Sequence, residues 1–208
     1  MTLRKFFLKF HLYLGLTVGL LFALMGLAGS LLVFSEEIDR ALNPQLLVAE
    51  ASGQRAEFRD VEQTVRRTFP DDTIYRIRLP HSPTDVYEFW MNANGDKRVH
   101  VDPYSGAVLG TRDFPETWRG RLFLFHTQLL SGETGKTIVG TAAFLYLAIG
   151  ITGIILWWRG RRNIKRGLTI KFRSGWKRAN FDIHNAVGFF AFFLLALSSI
   201  SGIYLIFN

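Results

Sequence analysis

The chain has 208 residues, a formal net charge of +8 and a 49% hydrophobic composition, with the apolar residues gathered into long runs. It contains no cysteine, which excludes disulfides, thiolate metal sites, iron–sulfur clusters and covalently attached c-type haem. The basic excess flanks the apolar runs, where it meets anionic lipid headgroups rather than nucleic acid.

Residues 1–11 form a basic terminus with Arg4, Lys5 and Lys9, and Leu12 to Phe34 then runs 23 residues without a charge. That length crosses roughly 30 Å of hydrocarbon as a helix, so 12–34 is expected to be transmembrane helix 1. A cleaved signal peptide is the rival reading, with small residues in MGLAGS. Its hydrophobic region would be about 7–15 residues, and two further spans follow.

Residues 36–56 read as a helical extension, SEEIDRAL, that stops before Pro44, followed by a linker. In 57–113 the pattern changes to a small α+β module. Phe58, Val61, Val65 and Phe69 take the spacing of an amphipathic helix. TIYRIRL (73–79) and VYEFWMN (86–92) alternate as strands, Asn94-Gly95 suits a two-residue hairpin, RVHVDP is the return strand and AVLGT a last short one. One helix against an antiparallel sheet of this size buries little, so the module is expected to lean on the membrane part or on a partner. Residues 114–136 read as an interfacial helix and turn, 137–158 as transmembrane helix 2, 159–182 as a basic loop, and 183–207 as transmembrane helix 3.

Residues 1–12 and 159–182 together hold twelve basic residues against one acidic, Asp182, whereas 36–136 hold 13 basic against 16 acidic. The positive-inside rule places the N-terminus and the 159–182 loop in the cytoplasm, with 36–136 and the C-terminus outside. The expected fold class is thus an α-helical membrane protein of three transmembrane helices with an extracytoplasmic α+β module between the first two.

Two of the five histidines occupy matching places: HLYLGL opens the first run at His11, and HNAVGF opens the last at His184. In an up-down-up bundle both lie at the cytoplasmic face of parallel helices. A single boundary histidine is often just an interfacial residue. A facing pair can instead hold a b-type haem iron from both sides. Gly15 and Gly188 stand one turn deeper on the same faces and leave room for a flat ring, while helix packing through small residues, as in Gly15-xxx-Gly19 and Gly26-xxx-Ser30, is the alternative use. Zinc would want three or four ligands. Asp182 either caps helix 3 or takes a histidine N–H. His126, in the segment outside, is a third candidate whose partner ligand is not evident, a second copy across a dimer being one source. His81 and His100 are expected to be exposed residues of the module.

RKFFLKFHLYLGL, GLAGSLLVFSEEIDRALNP, HVDPYSGAVLG, FHTQLLSGETGKTIVG, ITGIILWW and FDIHNAVG, in this order, resemble the PepSY-associated transmembrane family of bacterial membrane proteins. The likeness runs over nearly the whole chain, and the module ending in VDPYSG resembles the PepSY domain. The family includes inner-membrane ferric-siderophore reductases with b-type haem on transmembrane histidines. The resemblance therefore implies one or two b haems on His11, His126 and His184, and an iron-uptake role. The fuller family pattern has a fourth transmembrane helix and a larger outer region, which implies a homodimer or partner subunit here.

The expected function is electron transfer through haem b in the bacterial inner membrane, from a cytoplasmic or quinol donor to an outer acceptor such as a ferric siderophore. No GxGxxG follows a predicted strand, so a nucleotide-driven donor is a separate protein. The alternatives are a membrane-anchored module that binds a peptide, protease or envelope partner without catalysis, and an accessory subunit of an iron-uptake complex. Ser35, Ser131 and Ser201 and the pairs Glu36-Glu37 and Asp71-Asp72 carry no hydrolytic signature.

Overall fold

A computed structural model describes residues 2–92, 96–158 and 164–208. The Asn94-Gly95 turn and Arg159, Arg161 and Arg162 of the basic loop lie outside the described residues. The chain divides into two compact units, one of Met1–Leu27 with Thr127–Asn208 and one of Ala28–His126.

The first unit is built on three helices long and apolar enough to cross a membrane: α1 (Leu3–Val33), α6 (Gly132–Trp157) and α8 (Trp176–Phe207). Most of their large side chains, Leu16, Leu20, Phe190, Leu194 and Leu205 among them, are exposed, which is tolerable only where the solvent is hydrocarbon. α6 and α8 run antiparallel and close. A side-chain carbon at Gly140 would meet the Phe207 ring, one at Gly150 the Phe192 ring, and Trp157 stacks on Phe189 with ring centres 4.4 Å apart. α1 also runs antiparallel to α6, with Phe22 stacked on Tyr146 at 3.8 Å and His11 against Gly153. α1 and α8 are therefore parallel.

Each membrane helix begins before its apolar run, α1 at Leu3, α6 at Gly132 and α8 at Trp176. Within the stretch read as a loop, α7 (Ile164–Gly167) forms a short turn and α8 begins at Trp176. Asp182 is consequently inside α8 rather than at its cap. It is 3% exposed and accepts hydrogen bonds from Arg178 Nε at 3.0 Å and from the Lys171 backbone N–H at 3.2 Å, not from a histidine.

In the second unit, α2 (Ser35–Leu42) follows α1 after a break at Phe34, and Pro44 starts a separate short helix, α3 (Pro44–Leu47). Proline at the first position forfeits no hydrogen bond. Then come α4 (Phe58–Thr68) and four strands, β1 (Ile74–Arg78), β2 (Tyr87–Met91), β3 (Lys97–Val101) and β4 (Val108–Asp113), in an antiparallel meander of order β1-β2-β3-β4. A single 3-10 turn (Phe114–Glu116) leads to α5 (Trp118–Gln128).

Strand alternation gives the sheet two unlike faces. Tyr87, Phe89, Met91, Val99 and Val101 point to one side and bury against Val61 and Val65 of α4. Glu88 pairs with His100 and Arg98 with Arg112 on the other side. That polar face is covered too. Gly110 makes room for Leu46 of α3, and Asp39 of α2 accepts Arg112 through both guanidinium nitrogens and Trp118 Nε1 of α5. The expectation of one helix on one sheet is thus half the module: the stretch read as extension and linker supplies part of a second cover.

Candidate functional site

His11 and His184 are each eight residues beyond the first residue of their helix, α1 from Leu3 and α8 from Trp176. Because these helices are parallel, equal offsets bring the side chains together. The ring centres are 6.1 Å apart with planes at 74°. Two imidazoles that share one metal ion through bonds of about 2 Å have ring centres about 6 Å apart, so the pair already has that separation.

The tautomer of His11 follows from its partners. Nδ1 lies 3.1 Å from the Ile149 carbonyl and 3.0 Å from Thr152 Oγ1, and the Thr152 hydroxyl itself donates to the Ile149 carbonyl at 2.9 Å. A carbonyl only accepts, so Nδ1 carries the hydrogen, which in the neutral ring leaves Nε2 its lone pair. This is the arrangement in which a histidine ligand is oriented by its second nitrogen. Gly153 permits it, since a side-chain carbon there would come within 3.1 Å of His11 Cε1. His184 is exposed within the unit and makes no hydrogen bond to another described residue.

The two histidines open on a cavity of about 600 Å³ between α1, α6 and α8, in the size range of cofactor sites. Gly15, Gly19 and Gly188 line it, and a side-chain carbon at any of them would meet no atom within 4 Å. The alternative of helix packing through these glycines does not describe them; Gly140 and Gly150 have that role. Leu12, Ile154 and Phe192 form an apolar wall, and Arg4 and Asn185 are the polar lining near the histidines.

His126 lies in the second unit, on α5, with its ring against Gly29 of α1, where an added carbon would come within 2.9 Å of Cε1. Among the described residues no group of three or more His, Cys, Asp or Glu side chains is placed to hold a metal ion. His81 is exposed, its Nδ1 2.8 Å from the Leu79 carbonyl. His100 departs from expectation: it is 3% exposed on the covered face of the sheet, because α2, α3 and α5 lie over what the sequence presents as a free polar side.

A family model described as the PepSY-associated TM region matches residues 8–208. The chain belongs to this family. No curated protein matches it. With three membrane-spanning helices it is a multi-pass membrane protein of the PepSY-associated TM family. Thr152, Gly150 and Gly153, which shape the site from α6, were not singled out in the sequence. Thr152 lies 141 residues from His11, and nothing local marks it.

Proposed function

We propose that this PepSY-associated protein is a haem-b-binding electron-transfer protein of the bacterial inner membrane, in which His11 and His184 would hold the haem iron. The N-terminus faces the cytoplasm, and residues 36–136 face outward. Electrons arrive from a cytoplasmic or quinol donor and leave to an outer acceptor, such as ferric iron bound to a siderophore. The observation that carries the reading is the 6.1 Å separation of the His11 and His184 rings at the wall of a 600 Å³ cavity.

The residues fit the group. His11 presents an unprotonated Nε2, three glycines leave a broad opening, and the wall is hydrocarbon. A b-type haem bound here supplies one-electron redox chemistry. The chain's own part is to hold the His11 ring through Ile149 and Thr152, to exclude water with Leu12, Ile154 and Phe192, and to offer Arg4 to an acidic edge. Glycines at 15 and 188 keep the space open at no cost in helix contacts, which suits a flat occupant. A second haem, on His126, would draw its other ligand from a second copy of the chain.

The test is an absorption spectrum of detergent-purified protein, oxidised and dithionite-reduced, with His11→Ala and His184→Ala variants alongside. Sharp reduced α and Soret bands that disappear in either variant are expected, with one haem per chain from this pair. A colourless wild-type protein from haem-replete cells overturns the reading and leaves the anchored binding module or the accessory subunit.

A further inference from the structure

The cavity beside His11 and His184 is polarised along its length. On α1 its lining runs from Arg4 past His11 to Gly19, roughly 22 Å of helix, and on α8 from Phe181 to Ser199, roughly 27 Å. Among the described residues that line it, Arg4 alone carries a formal charge, and none is a carboxylate. Arg4 precedes His11 by two helical turns on the same side of α1, about 10 Å nearer the N-terminus. The far end, with Gly19, Tyr146, Leu195 and Ala196, has no ionised group.

The polar groups at the charged end have nothing within the chain to meet them. Neither the Arg4 guanidinium nor the Asn185 amide makes an ion pair or a side-chain hydrogen bond to another described residue. Asp182, on the adjoining turn of α8, is already bonded to Arg178 Nε and the Lys171 backbone N–H. Lys5 and Lys9 flank Arg4 in the chain and raise the positive potential at this end.

That distribution selects an occupant with an apolar body and an anionic end. A neutral quinone fills the apolar length and leaves the guanidinium unmet. A small inorganic anion meets the guanidinium and leaves the apolar length unfilled. An anionic phospholipid has both parts but gives the paired imidazoles nothing to bind. Haem b has all three, since its carboxylates lie together on one edge of an apolar ring, and guanidinium is the side chain best matched to a carboxylate.

We propose, on the haem reading above, that Arg4 and Asn185 hold the carboxylate edge of haem b and so decide which way round the ring enters: carboxylates toward the N-terminal end of α1, uncharged edge toward Gly19. The test titrates the full chain, freed of haem in detergent, with haem and with haem dimethyl ester, whose carboxylates are blocked, following the Soret band. The wild type is expected to bind haem about tenfold or more tighter than the ester. Added salt weakens haem binding and leaves the ester unchanged, because Arg4 is exposed and its charge is screened. Arg4→Gln lowers haem affinity to that of the ester, Arg4→Lys keeps most of the preference, and Asn185→Leu loses a smaller part of it. Equal affinity for haem and ester in the wild type overturns the proposal, and so does an Arg4→Gln protein that keeps the wild-type preference. A wild type that binds neither porphyrin overturns the haem reading as well.

Discussion

A side-chain carbon at Gly15 or Gly188 meets no atom within 4 Å, and a leucine at either would grow into the cavity. Both variants are therefore expected to express and unfold like the wild type while haem per chain falls, read as the ratio of Soret to protein absorbance. Equal loss of stability and haem would instead make these glycines packing residues. Gly120 and Gly135 behave oppositely. A side-chain carbon at Gly120 runs into the Phe114 carbonyl, and one at Gly135 into the Gln128 carbonyl, and backbone cannot swing aside as a side-chain tip does. Alanine at either should cost at least the 1–3 kcal/mol or so of ordinary overpacking, visible as a lower Tm. Thr152→Val removes one of the two groups that hold His11 Nδ1. Loss of such a partner lowers metal affinity about 10–100-fold, so faster haem loss to apomyoglobin is expected, with Thr152→Ser close to wild type.

The sheet is the element on which the outer module depends, and its faces respond to different insults. Phe89 is fully buried between the sheet and α4, and Phe89→Ala should cost about 3–5 kcal/mol, enough to unfold so small a core. The charged face responds to acid. Folded His100 binds a proton more weakly than an exposed histidine with its ordinary value of 6.5. The unfolded chain therefore takes up more protons below that value. The contribution of His100 is full above pH 6.5 and is lost as pH falls toward the lower folded pKa. Tm of the protein should decline from pH 7 to 5, and His100→Gln should flatten the decline. Asp85 adds stability that persists to lower pH. Burial opposes its ionisation, but hydrogen bonds from Arg40 and Ser82 overcome this and hold its carboxyl below the usual range.

For the whole molecule, the distribution of charge sets orientation, and a reporter can read it. A phosphatase fusion after Asn208 should be active outside the cell and a fusion within 159–182 inactive; the reverse pattern would invert the topology and put the histidine pair at the outer face. Three spans, the module between the first two and the matched histidines were all legible in the sequence, because hydrophobic run length, strand alternation and loop charge are local properties. Apolar runs of 23 and 22 residues are long enough to span in any context. What pattern could not supply was any statement about which helix faces which.

The sequence by itself determined the membrane class, the order of elements and that His11 and His184 open the first and last apolar runs, at the same end of an up-down-up bundle. Tertiary structure alone decided that Gly15 and Gly188 face open space rather than a neighbouring helix, that Thr152 and the Ile149 carbonyl orient His11, and that His100 is buried under α2, α3 and α5. Each of these depends on residues tens to more than a hundred positions apart, and only packing specifies which of many apolar and polar faces meet.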